Sequence, residues 1–248
     1  MTEEIAKNLE PLKNFLAQQR KWCLRDMAEA DFLWQNWMCQ QGYERKAFFE
    51  VPQNLVFMRQ HKNVFLSEFQ EYQSKFTVPR FQSIDAMEGK ILDREEKTAW
   101  RTLFLRICFQ DTSVAKQFPK TMALLQGIEC PLVMFSVLEP GKTLPEHCGY
   151  FSGVLRYHLG LQVPPDCWLT VNRQKCVWEP DILFDDTFPH SVQNNSDQPR
   201  LVLLLDIPRP FHEQEARDLN HQFLKIGATT EHIRQDLSRV DLMHQQTN

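Results

Sequence analysis

Five residues of this chain carry chemistry if the fold brings them together: His147, Arg156, His158, His190 and Arg200. Imidazole suits Fe(II), and two histidines with one carboxylate make the facial ligand set of non-haem iron sites. That carboxylate normally stands two residues after the first histidine. Here the position is Gly149, so the chain offers two ligands, His147 and His190, and leaves a third place open to water or an anion. A lone histidine is more often a hydrogen-bonded core or surface residue. The weight of this pair comes from its surroundings.

Leu155-Arg156-Tyr157-His158-Leu159 reads as a strand. Alternation then puts Arg156 and His158 on one face, and Tyr157 with Leu155 and Leu159 on the other. An arginine and a histidine on the inner face of a barrel are costly unless an anion pairs with them. Arg200, just before the apolar run 201–205, is a second anion partner. Guanidinium holds a carboxylate through two parallel hydrogen bonds. Two guanidinium groups and a metal suit a ligand with two carboxylates. Ordinary readings stay open beside these. Arg156 and His158 could face outward, Arg200 could pair with Asp197, and Asp185 and Asp186 could be turn residues or partners of surface lysines. A zinc site using Cys148 or Cys176 matches no usual ligand spacing.

Short strands must position these residues. From Trp100 onward the apolar runs shorten and turn residues punctuate them, which predicts strands over 103–109, 132–138, 154–161, 168–172, 176–178, 182–184 and 201–207. His190 opens a further short strand, and a short helix is expected near 118–126. This is the texture of a β-sandwich or barrel such as a jelly roll. Residues 1–98 contain only Gly42 and Gly89 and read as helical. Phe65, Phe69, Tyr72 and Phe76 form one apolar helical stripe; Leu24, Met27, Ala28 and Phe32 form another, with Gly42 as a stop beyond it. Such stripes are core packing. In the tail, Leu219, Phe223 and Ile226 predict a helix on the barrel that frays at the end. The expected division is a helical N-terminal region over 1–98, a β core over 99–210 and a C-terminal helical tail over 211–248.

The net charge of −4 and the lack of any Lys/Arg run argue against nucleic acid as a partner. Residues 1–20 lack the apolar centre of a signal peptide, and no apolar stretch is long enough for a bilayer. Seven scattered cysteines fit reduced thiols in a cytoplasmic compartment. A disulfide between Cys167 and Cys176, which flank a hairpin, is the minor alternative.

These blocks also resemble a known family. Pro145-x-His147, Leu155-Arg156-x-His158-Leu159-Gly160-Leu161, Phe184-Asp185-Asp186-x-x-x-His190 and Arg200-Leu201 are similar, in order and spacing, to the aspartyl/asparaginyl β-hydroxylases. The likeness covers about residues 100–210. It implies a double-stranded β-helix with helical flanks and an Fe(II)- and 2-oxoglutarate-dependent dioxygenase that consumes O2 and releases succinate and CO2. It implies His147 and His190 as iron ligands and Arg200 with Ser136 on the far carboxylate of 2-oxoglutarate. Arg156 and His158 would lie near the metal-proximal carboxylate, and Asp186 would stand behind the metal, orienting water or His190.

Gly149 matches the peptide-hydroxylase branch, where glycine also fills that place. Val154 departs from it, since that branch carries an arginine there that helps hold an acidic substrate side chain. The substrate expected is a peptide or a small molecule. The alternatives are a lipid acyl chain, a halogenase using the place opened by Gly149, or a cupin-like binding protein with a degenerate site.

Overall fold

A computed structural model describes residues 2–18, 22–93 and 97–246. Helices α1 (Thr2–Leu16) and α2 (Leu24–Gln40) are followed by a two-residue strand, β1 (Phe48–Phe49). Helices α3 (Gln53–Gln60), α4 (Lys62–Lys75), α5 (Phe81–Ile84) and α6 (Ala86–Leu92) complete the N-terminal part. Next come β2 (Trp100–Ile107), β3 (Gln110–Asp111), a 3-10 turn (Ser113–Gln117) and α7 (Pro119–Leu125). Strands β4 (Leu132–Leu138), β5 (Thr143–His147), β6 (Val154–Gln162) and β7 (Cys167–Val171) follow. They lead to β8 (Gln174–Cys176), β9 (Asp181–Phe184), β10 (His190–Asn194) and β11 (Arg200–Pro208). Helices α8 (Gln214–Gly227) and α9 (Glu231–Gln246) close the chain.

The strands form two antiparallel sheets, β1-β9-β6-β11-β4-β2-β3 and β5-β10-β7-β8. From β4 to β11 the chain folds in the jelly-roll order expected of a double-stranded β-helix: β4-β11-β6-β9 in one sheet and β5-β10-β7-β8 in the other. Apolar residues of both sheets, among them Leu159, Leu169, Val192 and Leu203, share one core. Helix α4 covers the outer face of the larger sheet, where Phe65, Phe69 and Tyr72 are buried and Phe69 meets Phe135 of β4 at 5.0 Å.

The two-residue strands β1 and β3 were not foreseen, the strand expected over 176–178 lies at Gln174–Cys176, and three further elements differ from the sequence expectation. Strand β5 was not foreseen because only Leu144 of its five residues is buried, and Pro145 lies within it. It is an edge strand, where alternation is weak and proline is tolerated. Helix α2 turns a different face inward. Ala28 and Phe32 are exposed, whereas Ala30, Trp34, Trp37 and Met38 are buried. Leu24's side chain lies outside the described residues. Trp34 packs on Phe211, Phe223 and Phe151 at 5.1, 5.8 and 6.3 Å, and two tryptophans offer more apolar area than the Ala28–Phe32 stripe. The tail forms two helices rather than one. The end of the tail, where fraying was expected, includes residues 247–248, which lie outside those described. All seven cysteines are free. No helix among the described residues is long and apolar enough to cross a membrane.

The packing of α2 generates a contrast. Trp34→Ala should lower stability by about 3–5 kcal/mol, through the lost apolar area and the cavity left behind. Phe32→Ala, at a side chain 64% exposed, should change it by about 0.5 kcal/mol or less. Urea unfolding of the two variants checks this.

Candidate active site

The smaller sheet brings the two histidines together. His147 ends β5, His190 begins β10, and the antiparallel register pairs them directly. Their ring centroids lie 4.1 Å apart. Both rings are held by the same local device. The Nδ1–H of His147 donates to the Pro145 carbonyl at 2.8 Å, and that of His190 to the Phe188 carbonyl at 3.0 Å. A ring fixed this way keeps Nε2 as its ligating nitrogen. Burial lowers the pKa of both, and His190 reaches about 3 with the help of its neighbour His147. Two neutral imidazoles side by side fit a divalent transition metal.

Strand β6 turns Arg156 and His158 inward, as alternation requires, while Tyr157 faces away and its hydroxyl donates to Asp181 Oδ2 at 2.9 Å. The two inward residues differ in what they leave free. Arg156 is fully engaged. Its Nε and Nη2 donate to the two carboxylate oxygens of Asp206 at 2.9 and 3.2 Å, and its Nη1 meets Asp186 Oδ2 at 2.9 Å. His158 is 5% exposed, and its Nε2 has no partner.

Arg200, at the start of β11, is 1% exposed and faces no carboxylate. Its Nη2 donates to Ser136 Oγ at 3.5 Å, and its Nε and Nη1 are unpartnered. Trp100 Nε1 also donates to Ser136 Oγ, at 2.9 Å. Burial lowers the Arg200 pKa to about 10. The expected alternative, a pair with Asp197, is not made.

Gly149 and Asp186 fit each other by subtraction. A Cβ at position 149 would fall 2.2 Å from Asp186 Oδ2, so the carboxylate occupies the space a side chain there would need. The Gly149 amide donates to the Asp186 carbonyl at 2.7 Å. Burial raises the Asp186 pKa, and Arg156 pulls it back. Next to it, Asp185 is held by Arg209 Nη2 at 2.6 Å.

A cavity of about 280 Å³ opens beside His147, Gly149, Val154, Arg156 and Asp186. Its walls are mostly apolar, with Phe104 and Ile107 from β2, Met134 from β4, Phe81, Ile84 and Leu92 from α5 and α6, and Phe223 from α8. Asp85, Glu88, His232 and Asp236 are among its polar lining, with Arg156, Asp186 and Asp206. Asp85, His232 and Asp236 also have the proximity of a metal site, apart from the histidine pair. Here His232 Nε2 already bridges Asp85 and Asp236 at 3.1 and 3.5 Å, and Arg239 pairs with Asp236 at 3.2 Å. These groups are already engaged with one another.

The motif resemblance noted above extends beyond the motifs. The sequence pattern of the family described as Aspartyl/Asparaginyl beta-hydroxylase matches residues 59–210. The chain belongs to this family. The match takes in α4, α5 and α6, ahead of the blocks that carried the resemblance. Among relatives, the ornithine lipid ester-linked acyl 2-hydroxylase of Rhizobium tropici is 36% identical over 167 residues, which is 64% of this chain and 58% of that one. The human aspartate beta-hydroxylase domain-containing protein 1 is 41% identical over 81 residues, 31% of this chain and 21% of its own. The mouse aspartyl/asparaginyl beta-hydroxylase is 30% identical over 120 residues, 44% of this chain and 16% of its own. The chain therefore spans less than two thirds of the length of each. Among solved structures, a prolyl-4-hydroxylase from Pseudomonas putida aligns over 66% of this chain and 94% of its own, with 14% identity and a TM-score of 0.41.

The candidate site includes residues that sequence reasoning missed. Asp206 carries no signal, since it sits in an apolar strand and meets Arg156 only through the β6–β11 register. Trp178 lies between short strands with no periodicity around it, yet its indole touches both His158 and Arg200.

The lowered histidine pKa values give a pH dependence. In the unfolded chain an imidazole takes a proton below its ordinary value of 6.5, whereas in the fold His190 does so only near 3. This contribution to stability is complete above about pH 6.5 and is lost as pH falls toward 3. Unfolding of the metal-free protein at pH 7 and pH 5 should show the loss, and His190→Gln should flatten it.

Proposed function

We propose that this hydroxylase-family chain is an Fe(II)- and 2-oxoglutarate-dependent dioxygenase, and that Arg200 is the residue that carries the reading. A buried guanidinium without a counter-charge costs several kcal/mol, which an anionic ligand repays. The far carboxylate of 2-oxoglutarate suits the two unpartnered nitrogens of Arg200, with the Ser136 hydroxyl beside them. His147 and His190 would hold the iron. His158 would donate from Nε2 to the carboxylate nearer the metal. Arg156 fixes Asp186 beside Gly149, where its unpartnered Oδ1 can accept a hydrogen bond from water at the open metal position. Iron with 2-oxoglutarate and O2 supplies the oxidising power to hydroxylate an unactivated C–H, with release of succinate and CO2. The protein's part is to place these anions and keep bulk water out.

For the substrate, the cavity supports an apolar chain such as an acyl group rather than an acidic peptide side chain. Val154 and the phenylalanines, leucine, isoleucines and methionine of its wall offer no partner for a carboxylate. The likeness to an acyl 2-hydroxylase points the same way. A reducing, cytoplasmic compartment is part of the proposal and rests on the seven scattered thiols.

Anaerobic loading with Fe(II), then 2-oxoglutarate and O2, should yield succinate, and His147→Ala and His190→Ala should each abolish it. No succinate with any acyl or peptide substrate would count against the reading. Arg200→Met gives a test without turnover. It should raise the melting temperature of the ligand-free protein, by relieving a buried charge worth about 1–4 kcal/mol, and remove the further rise that 2-oxoglutarate gives the wild type.

A further inference from the structure

Trp178 is a buried residue to which no role has so far been given. Its Nε1–H donates to His158 Nδ1 at 3.2 Å, and the two rings lie nearly parallel, 9° apart in plane, with centroids at 6.1 Å. The same indole faces the Arg200 guanidinium, whose carbon lies 5.2 Å from the ring centroid. Gly160 makes the seat. A Cβ there would come within 2.8 Å of Val163 Cγ2 and 3.2 Å of Trp178 Cβ.

We propose that Trp178 is a positioning residue for the co-substrate, fixing His158 as the neutral tautomer that carries its proton on Nε2. The chemistry of the donor set requires this. An indole N–H only donates, so His158 Nδ1 must accept and cannot be protonated. Nε2 then bears the hydrogen, and it is this buried atom that has no partner in the protein. Burial and the nearby charges of Arg200 and Arg156 disfavour a second proton. His158 Nε2–H and the free nitrogens of Arg200 are thus donors held by one indole, the first through the N–H at its edge and the second over its ring face. The cation–π contact also steadies a guanidinium that has no carboxylate to orient it. The donor role rests on the 2-oxoglutarate reading; the tautomer does not.

The test has two readouts on the intact chain. In metal-free protein labelled with ¹⁵N-histidine, NMR should show His158, assigned by its loss in His158→Gln, with an acceptor Nδ1 and a protonated Nε2. Trp178→Phe keeps the ring and removes the N–H. It should give a mixed or inverted tautomer and weaken 2-oxoglutarate binding, measured calorimetrically with Zn(II) present, roughly fivefold. A wild-type His158 protonated on Nδ1 would overturn the proposal without any variant. So would a Trp178→Phe protein with unchanged tautomer and unchanged affinity. Wild-type protein that shows the stated tautomer but binds no 2-oxoglutarate would overturn the co-substrate role alone.

Discussion

Charge placed between two packed sheets has to be balanced, and most of this molecule's interior is arranged around that constraint. Arg156 is met by Asp186 and Asp206, Arg209 by Asp185, and Lys142 by Asp93 at 3.0 Å. Each pair ties together segments distant in sequence, so the polar interior also fixes the relative placement of strands and loops. Removing one partner of such a pair is more damaging than never having had the pair. Arg200 breaks the pattern. It is as buried as the others, and its partners are a hydroxyl and an aromatic face. Among the described residues the other buried cations are met by carboxylates, and this one is not, which is the feature on which the proposed anion site rests.

The balanced pairs do more than hold the barrel. The Arg156–Asp186 pair stands between two environments. On one side are the histidine pair, His158 and Arg200, all polar and mostly fixed. On the other is an apolar cavity walled by the larger sheet and by α2, α5, α6, α8 and α9. The core strands therefore hold the polar cluster, and the helical flanks shape the cavity beside it. Such an arrangement lets the helices vary the cavity while the strands hold the polar cluster unchanged, which is how a shared scaffold can serve different ligands.

Much of the jelly roll was legible because glycine, proline and asparagine clusters separate apolar runs of strand length. Strand β6 was readable to the face, since Arg156 and His158 alternate with apolar neighbours. Strand β5 was not, because an edge strand exposed on one side needs little apolar content. The inward face of α2 was misjudged for a related reason. Its sequence has two apolar stripes, and the choice between them depends on Phe151, Phe211 and Phe223, which come from far along the chain. In the site, the histidines and arginines stood out because such residues are rare inside barrels. Asp206 and Trp178 did not, because a single aspartate or tryptophan in an expected strand has many ordinary uses.

The sequence alone determined the inventory: two imidazoles, Arg156 and His158 sharing one strand face, Arg200 at a strand start, and a glycine where a ligand would otherwise stand. These follow from residue type and strand period, which are local. Tertiary structure decided how the inventory is used. It spent Arg156 on two aspartates, left Arg200 and His158 with free donors, filled the Gly149 space with the Asp186 carboxylate and put Trp178 between the two donors. Those outcomes depend on register and packing between distant segments. Whether a buried charge is matched or left open is settled by what lies across the sheet, and no local pattern records that.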